Sequence, residues 1–168
     1  MRAQDETEFT EFAAITIRRL RRTAYLMCGD WHRAEDAAQD ALVKVYRRWN
    51  RIQRGEGLNS YAQRCVVTAV FDQSRKPWRR EHLDDTEEAL VITPDAVRPV
   101  DDRLLVTEAL AALAPSQRAC VVLRHYADLS VEQTADILRI SPGGVKSQTS
   151  RGLTRLRELL DHTERSAP

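Results

Sequence analysis

Asp128-Leu129-Ser130-Val131-Glu132-Gln133-Thr134-Ala135-Asp136-Ile137-Leu138-Arg139-Ile140-Ser141-Pro142-Gly143-Gly144-Val145-Lys146-Ser147-Gln148-Thr149-Ser150-Arg151 is the stretch that decides the fold. Ser130 followed by Gln133 forms a capping box: the serine hydroxyl accepts from the glutamine amide, and the glutamine side chain reaches back. A helix is predicted from Val131, with Ala135 and Leu138 turned inward. Ile140 closes a short turn, and Ser141-Pro142 supplies a second N-cap with proline at the first helical position. The helix it opens carries Lys146, Ser147, Gln148, Thr149, Ser150 and Arg151. Two short helices joined by a turn of about three or four residues, the second rich in Lys, Ser, Gln, Thr and Arg, fit a helix-turn-helix. In that motif the second helix lies in the major groove of DNA with its first turns at the base edges. Small and amide side chains approach closely there, while Arg and Lys reach guanine or phosphate. An ordinary helical hairpin with a polar outer face carries the same pattern.

Working upstream, Leu104, Leu105, Ala109, Leu110 and Leu113 predict a helix ended by Ala114-Pro115, and a second runs from Ser116 through Val121 and Val122 to Tyr126. In the N-terminal half, Phe9, Phe12, Ala13, Ile17, Leu20 and Ala24 recur at helical spacing until Gly29-Asp30. Ala34, Ala38, Ala41, Leu42, Val45, Tyr46 and Trp49 mark a second amphipathic helix, whose other face shows Glu35, Asp36, Gln39 and Asp40, then Lys44, Arg47 and Arg48. Arg54-Gly55-Glu56-Gly57 reads as a loop. A third helix is expected from about Ser60 to Arg75, stopped by Pro77. The β-branched Val66, Val67, Thr68 and Val70 would also suit a strand, but periodicity favours helix.

Net charge is +1 over 168 residues, yet the layout is polarised. Residues 1–80 hold 16 Lys/Arg against 10 Asp/Glu, residues 81–102 hold 1 against 8, and residues 103–168 hold 9 against 7. Acidic residues with Pro94 and Pro99 and no apolar periodicity argue for a flexible linker. The expected organisation is all-α: one small helical domain at 8–78, an acidic linker at 79–101, and a second helical domain at 102–162. Two mildly basic lobes around an acidic connector are a reason to look for a nucleic-acid surface on the lobes, although solvated helix faces would account for most of the individual charges.

Other classes fit poorly. Cys28, Cys65 and Cys120 are far apart among apolar neighbours and read as buried, reduced thiols in a cytoplasmic protein. Met1–Thr10 carries Asp5, Glu6 and Glu8 without an apolar core, so no secretory leader is expected. No apolar run approaches the ~18 residues that cross a bilayer, and no membrane insertion is expected. His32, His82, His125 and His162 lack ligand spacing, so neither a metal nor another cofactor is assigned. No phosphate-binding glycine loop or nucleophile–base set is present, and the chain does not read as an enzyme.

The stretch 128–151 resembles region 4 of the extracytoplasmic-function (ECF) sigma factors of RNA polymerase. Cys28-Gly29-Asp30, followed by Ala34-Glu35-Asp36-Ala37-Ala38-Gln39-Asp40-Ala41-Leu42, resembles their region 2. The two matches come in the family's order, and the resemblance covers about residues 8–162. The run from Val145 to Arg151 is most similar to the SigE-like actinobacterial branch. The resemblance implies a transcription initiation factor that directs core RNA polymerase to promoters through −35 and −10 elements and assists melting. It implies that Asp36, Gln39, Asp40, Val43 and Arg47 dock on the β′ clamp helices, and that the second lobe sits on the β flap and binds the −35 element. It implies that the third helix and the loop before it open the −10 element and capture a flipped base. The linker is expected to thread toward the RNA exit channel, where an acidic segment suits a path built for phosphates. An anti-sigma factor is a further expected partner.

The candidate −35 residues are Lys146, Ser147, Gln148, Ser150, Arg151 and Arg155. The candidate −10 residues are Asn59, Thr68, Gln73, Arg75, Lys76 and Arg79, the last three in a run where bases flank Trp78. Tyr46, Trp49 and Tyr61 read as core before base-stacking platforms, and Arg18, Arg19, Arg21 and Arg22 as a solvated face. Thr68 stands where many members have Asn. Arg139 replaces a common turn glycine, at a cost of about 1 kcal/mol if its φ is positive. Thr149 replaces a larger apolar residue, and Gly152 costs its helix up to about 1 kcal/mol relative to Ala. A stand-alone helix-turn-helix repressor would account for 129–155 but leaves Ala34–Leu42 without a purpose. A helical protein-binding adaptor would make the capped recognition helix incidental.

Overall fold

The computed structural model describes residues 2–52, 55–75 and 100–166, and every element among them is helical. The chain divides into two compact units, 1–89 and 90–168. The expected linker lies almost wholly outside the described residues.

In the first unit, α1 (Ala3–Cys28), α2 (Trp31–Arg47) and α3 (Glu56–Arg75) pack against one another. Gly29 ends α1 at φ +70°, and its N–H reaches the Tyr25 carbonyl at 2.7 Å. A left-handed residue is cheap there only for glycine. Asp30 then caps α2, its carboxylate accepting from the His32 and Arg33 amides at 2.9 and 3.2 Å. Gly29 and Asp30 alone make the α1–α2 turn. Ala34, Ala37, Ala38 and Ala41 are fully buried, and these small side chains let α2 sit close to its neighbours. On α1 the buried residues are Thr16, Leu20, Thr23, Ala24 and Met27, while Phe9, Phe12, Ala13 and Ile17 are half-buried.

Val66, Val67 and Val70 are buried on α3 together with Ala62, Cys65 and Ala69. Their three- and four-residue recurrence outweighs β-propensity, which mainly reports fit to a pleated surface. The helix begins a turn earlier than expected: Leu58 is buried and donates its N–H to the Gly55 carbonyl at 3.2 Å, drawing Glu56 and Gly57 into the helix. Trp49, just past α2, is 3% exposed and packs edge-on to Phe9 and obliquely on Phe12. It belongs to the core, as its spacing suggests. Tyr46 meets Phe9 edge-on but stays 40% exposed.

The second unit comprises α4 (Val100–Ala111), α5 (Pro115–Val121), a π-helical turn (Val122–Tyr126), α6 (Val131–Leu138) and α7 (Pro142–Ser166). The helix expected to run from Ser116 to Tyr126 is therefore divided. Val121, Val122 and Leu123 are consecutive and all buried, more than one stripe of an α-helix can present. The wider turn, closed by the Ala127 N–H on the Val122 carbonyl at 3.0 Å, accommodates them. Arg118 holds the end of α4, donating to the carbonyls of Leu110, Ala111 and Leu113 at 2.9 to 3.2 Å. They lie at the helix C-terminus, where intrahelical donors run out, although the Leu110 carbonyl also accepts from the Leu113 amide at 3.1 Å.

Cys120, Ala135 and Val145 form the small core of the helix-turn-helix, with Val131 and Leu138 against it. Burial pushes the Cys120 thiol above its ordinary value, partly offset by a hydrogen bond with Thr149. Thr149 thus fills with a polar contact the place where a larger apolar side chain is common. No helix among the described residues is long and apolar enough to cross a membrane.

Candidate nucleic-acid interface

The capping box on α6 is fully formed. Ser130 Oγ accepts from the Gln133 amide at 3.0 Å, and Gln133 Oε1 accepts from the Ser130 amide at 2.8 Å. Arg139 ends the helix in the left-handed region at φ 56°, the strained alternative its sequence position raised. Ser141 Oγ accepts from the Gly144 amide at 3.0 Å and opens α7, with Pro142 at its first position. The Ser141 cap fixes the start of α7, and a helix with a fixed start has a fixed face.

That face presents Lys146, Ser147, Ser150 and Arg151 to solvent, followed one turn later by Arg155. Gln148 is half-buried toward the side of the row. Arg155 pairs with Glu158 at 3.3 Å, both side chains more than half exposed. Such a pair is weak and easily exchanged for another anion. Among the described side chains, α7 therefore offers cations and small hydroxyls at helical spacing on one exposed row.

In the first unit, Asp36, Gln39, Asp40, Val43 and Arg47 are all exposed on α2. Positions 36, 40, 43 and 47 follow three- and four-residue steps and share one face. Val43, 47% exposed, puts an apolar patch among the charges. Glu35 ties this face to α1: its carboxylate accepts from Arg21 at 3.2 Å and from Gln39 at 3.4 Å. Arg21 lies 5.7 Å from the centre of the Trp31 ring, which stacks on Tyr25 at 3.8 Å. Arg21 is thus a positioned contact and not a freely solvated charge.

The −10 candidates divide. Asn59 is half-buried in the first turn of α3, and Thr68 is exposed with its hydroxyl donating to the Arg64 carbonyl at 2.8 Å. Gln73 is a correction. It is 5% exposed, and its amide donates to the Arg33 carbonyl of α2 at 3.1 Å. Its place on the buried stripe through Ala62, Val66 and Ala69 explains this, and that periodicity is visible in the sequence. Gln73 ties two helices together and cannot reach DNA in this arrangement. The side chain of Arg75, and all of Lys76 and Arg79, lie outside the described residues.

One feature lies outside the candidate −10 residues, at Tyr61, which the sequence offers as core ahead of a stacking platform and which is only half-buried. A cleft of about 440 Å³ opens where α2 ends and α3 begins, lined by Arg48, Arg51, Ile52, Gly57 and Tyr61. The Arg48 guanidinium lies 6.0 Å from the centre of the Tyr61 ring. Partial burial raises the Tyr61 hydroxyl above its ordinary value. An aromatic face with two cations suits a stacked base and its phosphate. The run Arg47-Arg48-Trp49-Asn50-Arg51 was the available signal.

Comparison with known proteins gives concordant matches. Residues 14–80 match the family described as Sigma-70 region 2, and residues 103–156 match Sigma-70, region 4. The RNA polymerase sigma-E factor of Streptomyces coelicolor is 36% identical over 156 residues, which cover 91% of this chain and 86% of that protein. The ECF RNA polymerase sigma factor SigM of Mycobacterium tuberculosis is 30% identical over 160 residues, covering 95% and 81%. Among solved structures, the sigma factor RpoE of Bartonella quintana, crystallised with the anti-sigma factor NepR, superposes with a TM-score of 0.74 at 25% identity, covering 92% of this chain and 97% of that one. CnrH in complex with the cytosolic domain of CnrY shares the fold at a TM-score of 0.65 and 18% identity, covering 94% and 90%.

Proposed function

The chain belongs to the ECF RNA polymerase sigma factors, and from that premise we infer that it brings core RNA polymerase to promoters by reading the −35 element with α7 and the −10 element with α3. It is a promoter-specific transcription initiation factor. It contributes binding and melting while the polymerase performs the chemistry, and it works in the cytoplasm, where core polymerase and promoter DNA meet. Residues 8–78 act as the clamp- and −10-binding domain, 79–101 as the linker, and 102–162 as the −35-binding domain on the β flap.

The carrying observation is the exposed row Lys146, Ser147, Ser150 and Arg151 on a helix whose start is fixed by the Ser141 cap. Preformed, it can enter the major groove without ordering cost, and its small side chains let Arg151 reach a base edge. Gln148 and Arg155 flank it. In the first unit, Asp36, Gln39, Asp40, Val43 and Arg47 supply the polymerase-facing patch. Asn59 and Thr68 face the −10 strand, with Arg75, Lys76 and Arg79 neutralising phosphates. The cleft beside Tyr61 receives the unstacked base. An anti-sigma factor, of the kind bound to RpoE of B. quintana, is a further partner.

The test is a titration of holoenzyme against promoters randomised at the −35 element. Arg151→Ala is expected to cost about 1–3 kcal/mol and to relax preference at one base, as loss of a bidentate guanine contact does. Unchanged affinity and preference, with an intact helical spectrum, would overturn this register of α7.

A further inference from the structure

Opposite the exposed row, α7 turns Val145, Thr149 and Gly152 inward at steps of four and three residues. Val145 and Gly152 are buried and Thr149 is half-buried. A hydrogen bond joins Thr149 to Cys120, itself fully buried on α5. One turn on, the backbone at Gly152 runs so near α5 that a β-carbon there would come within 2.7 Å of Val121 Cγ2. Set against the 3.4 Å at which ordinary contact begins, 2.7 Å means that a single methyl would part the helices by roughly 0.7 Å. Val121 is buried and β-branched, hence stiff at χ1, and the Gln117 carbonyl beside it is backbone, so neither yields cheaply. Thr149 and Gly152 are both small for their places, and the closeness of α7 to α5 depends on it.

We infer that Thr149 and Gly152 are specificity-determining positioning residues: by letting α7 sit deep on α5, they set the depth at which Lys146, Ser147, Ser150 and Arg151 meet the base edges. The inference rests on the groove-facing reading of α7. Side chains on opposite faces of one helix move together, so whatever lifts the inner face advances the outer one. In a helix-turn-helix the first helix crosses the DNA backbone while the second lies in the groove. With α6 and the rest of the lobe in place, α7 cannot ride outward on α5 and keep the same reach to the bases. The magnitudes make this matter. An N–H···O bond is good only between about 2.7 and 3.2 Å, a window narrower than the displacement one methyl would force. A bidentate base contact must satisfy two such windows at once, whereas attraction between a cation and a phosphate changes little over that distance.

Holoenzyme carrying Gly152→Ala, Thr149→Leu, or Gly152→Ala together with Val121→Ala is to be titrated against promoters randomised at the −35 element, well below each variant's thermal midpoint. Gly152→Ala and Thr149→Leu should each lower discrimination at the base read by Arg151 by about fivefold or more, the least that a bidentate contact supplies. Affinity for duplex without a promoter should stay as it is. Val121→Ala beside Gly152→Ala clears the Cγ2 contact and should return the native preference. Loss of stability alone would act differently, weakening every −35 sequence equally and leaving the ratios between them untouched. That pattern, or an unaltered profile in both single variants, overturns the inference. So does an altered profile that Val121→Ala leaves in place, since the crossing with α5 would then not be its cause. Where Gly152→Ala alone fails to fold, Thr149→Leu and the double variant carry the comparison. With Arg151→Ala in parallel, altered base preference beside silent inner-face variants removes the seating inference alone; silence of all removes the groove-facing reading as well.

Discussion

A β-carbon at position 152 would stand 2.7 Å from Val121 Cγ2 and 3.2 Å from the Gln117 carbonyl oxygen. Gly152 is therefore where α7 crosses α5, and its helix-propensity cost is the condition of that approach. Two effects compete in Gly152→Ala: a gain of up to about 1 kcal/mol in propensity and an overpacking cost of about 1–3 kcal/mol. The methyl meets a backbone oxygen that cannot rotate away, so the substitution should destabilise by about 1–2 kcal/mol, read as a lower urea midpoint at unchanged slope. A higher midpoint would show that the helices can part without loss. From sequence Gly152 reads only as a weakness, because propensity is local and the contact is not. Arg139 was legible in full: a missing turn glycine and a left-handed backbone are the same fact seen twice. Gln73 was misread because polarity outweighed position. A glutamine can be buried when it finds a carbonyl, as this one does on Arg33.

At the level of elements, caps were the most legible features. Ser130, Gln133, Ser141 and Pro142 carry their meaning within four residues, and each does in the structure what its spacing implies. Ser130→Ala removes the acceptor of the Gln133 amide and should cost about 1 kcal/mol. Because α6 has only eight residues, that loss falls on an element with little stability of its own. Hydrogen exchange should show faster opening of Val131–Leu138 with α1 unchanged; equal protection in both proteins would show that packing alone holds the helix. Tertiary devices were not legible. The Arg118 clasp joins side chain to carbonyls five to eight residues away, and the π-helical turn answers a crowding of buried residues that only the assembled lobe creates. The early start of α3 has the same origin in the burial of Leu58.

For the whole molecule, composition and charge layout anticipated two helical units, and the chain forms two. The α2 face proposed to meet the polymerase would act only in the assembled protein. Asp40→Arg reverses a charge on exposed α2, so folding should be unaffected while capture of core RNA polymerase falls steeply. Like charges brought together at an interface cost several kcal/mol. Equal retention of native and variant chains on immobilised core polymerase, at matched thermal midpoints, would remove this face from the interface. Carrying two separate units on one chain also makes promoter binding bivalent. Once either half is seated, the other searches at an effective concentration set by their being one chain and not by the cell. Neither half then needs high affinity by itself, and a promoter with one poor element can still be served if its partner element is good. Discrimination resides in the coincidence of two modest readings, which a single tight one could not supply without also becoming slow to let go.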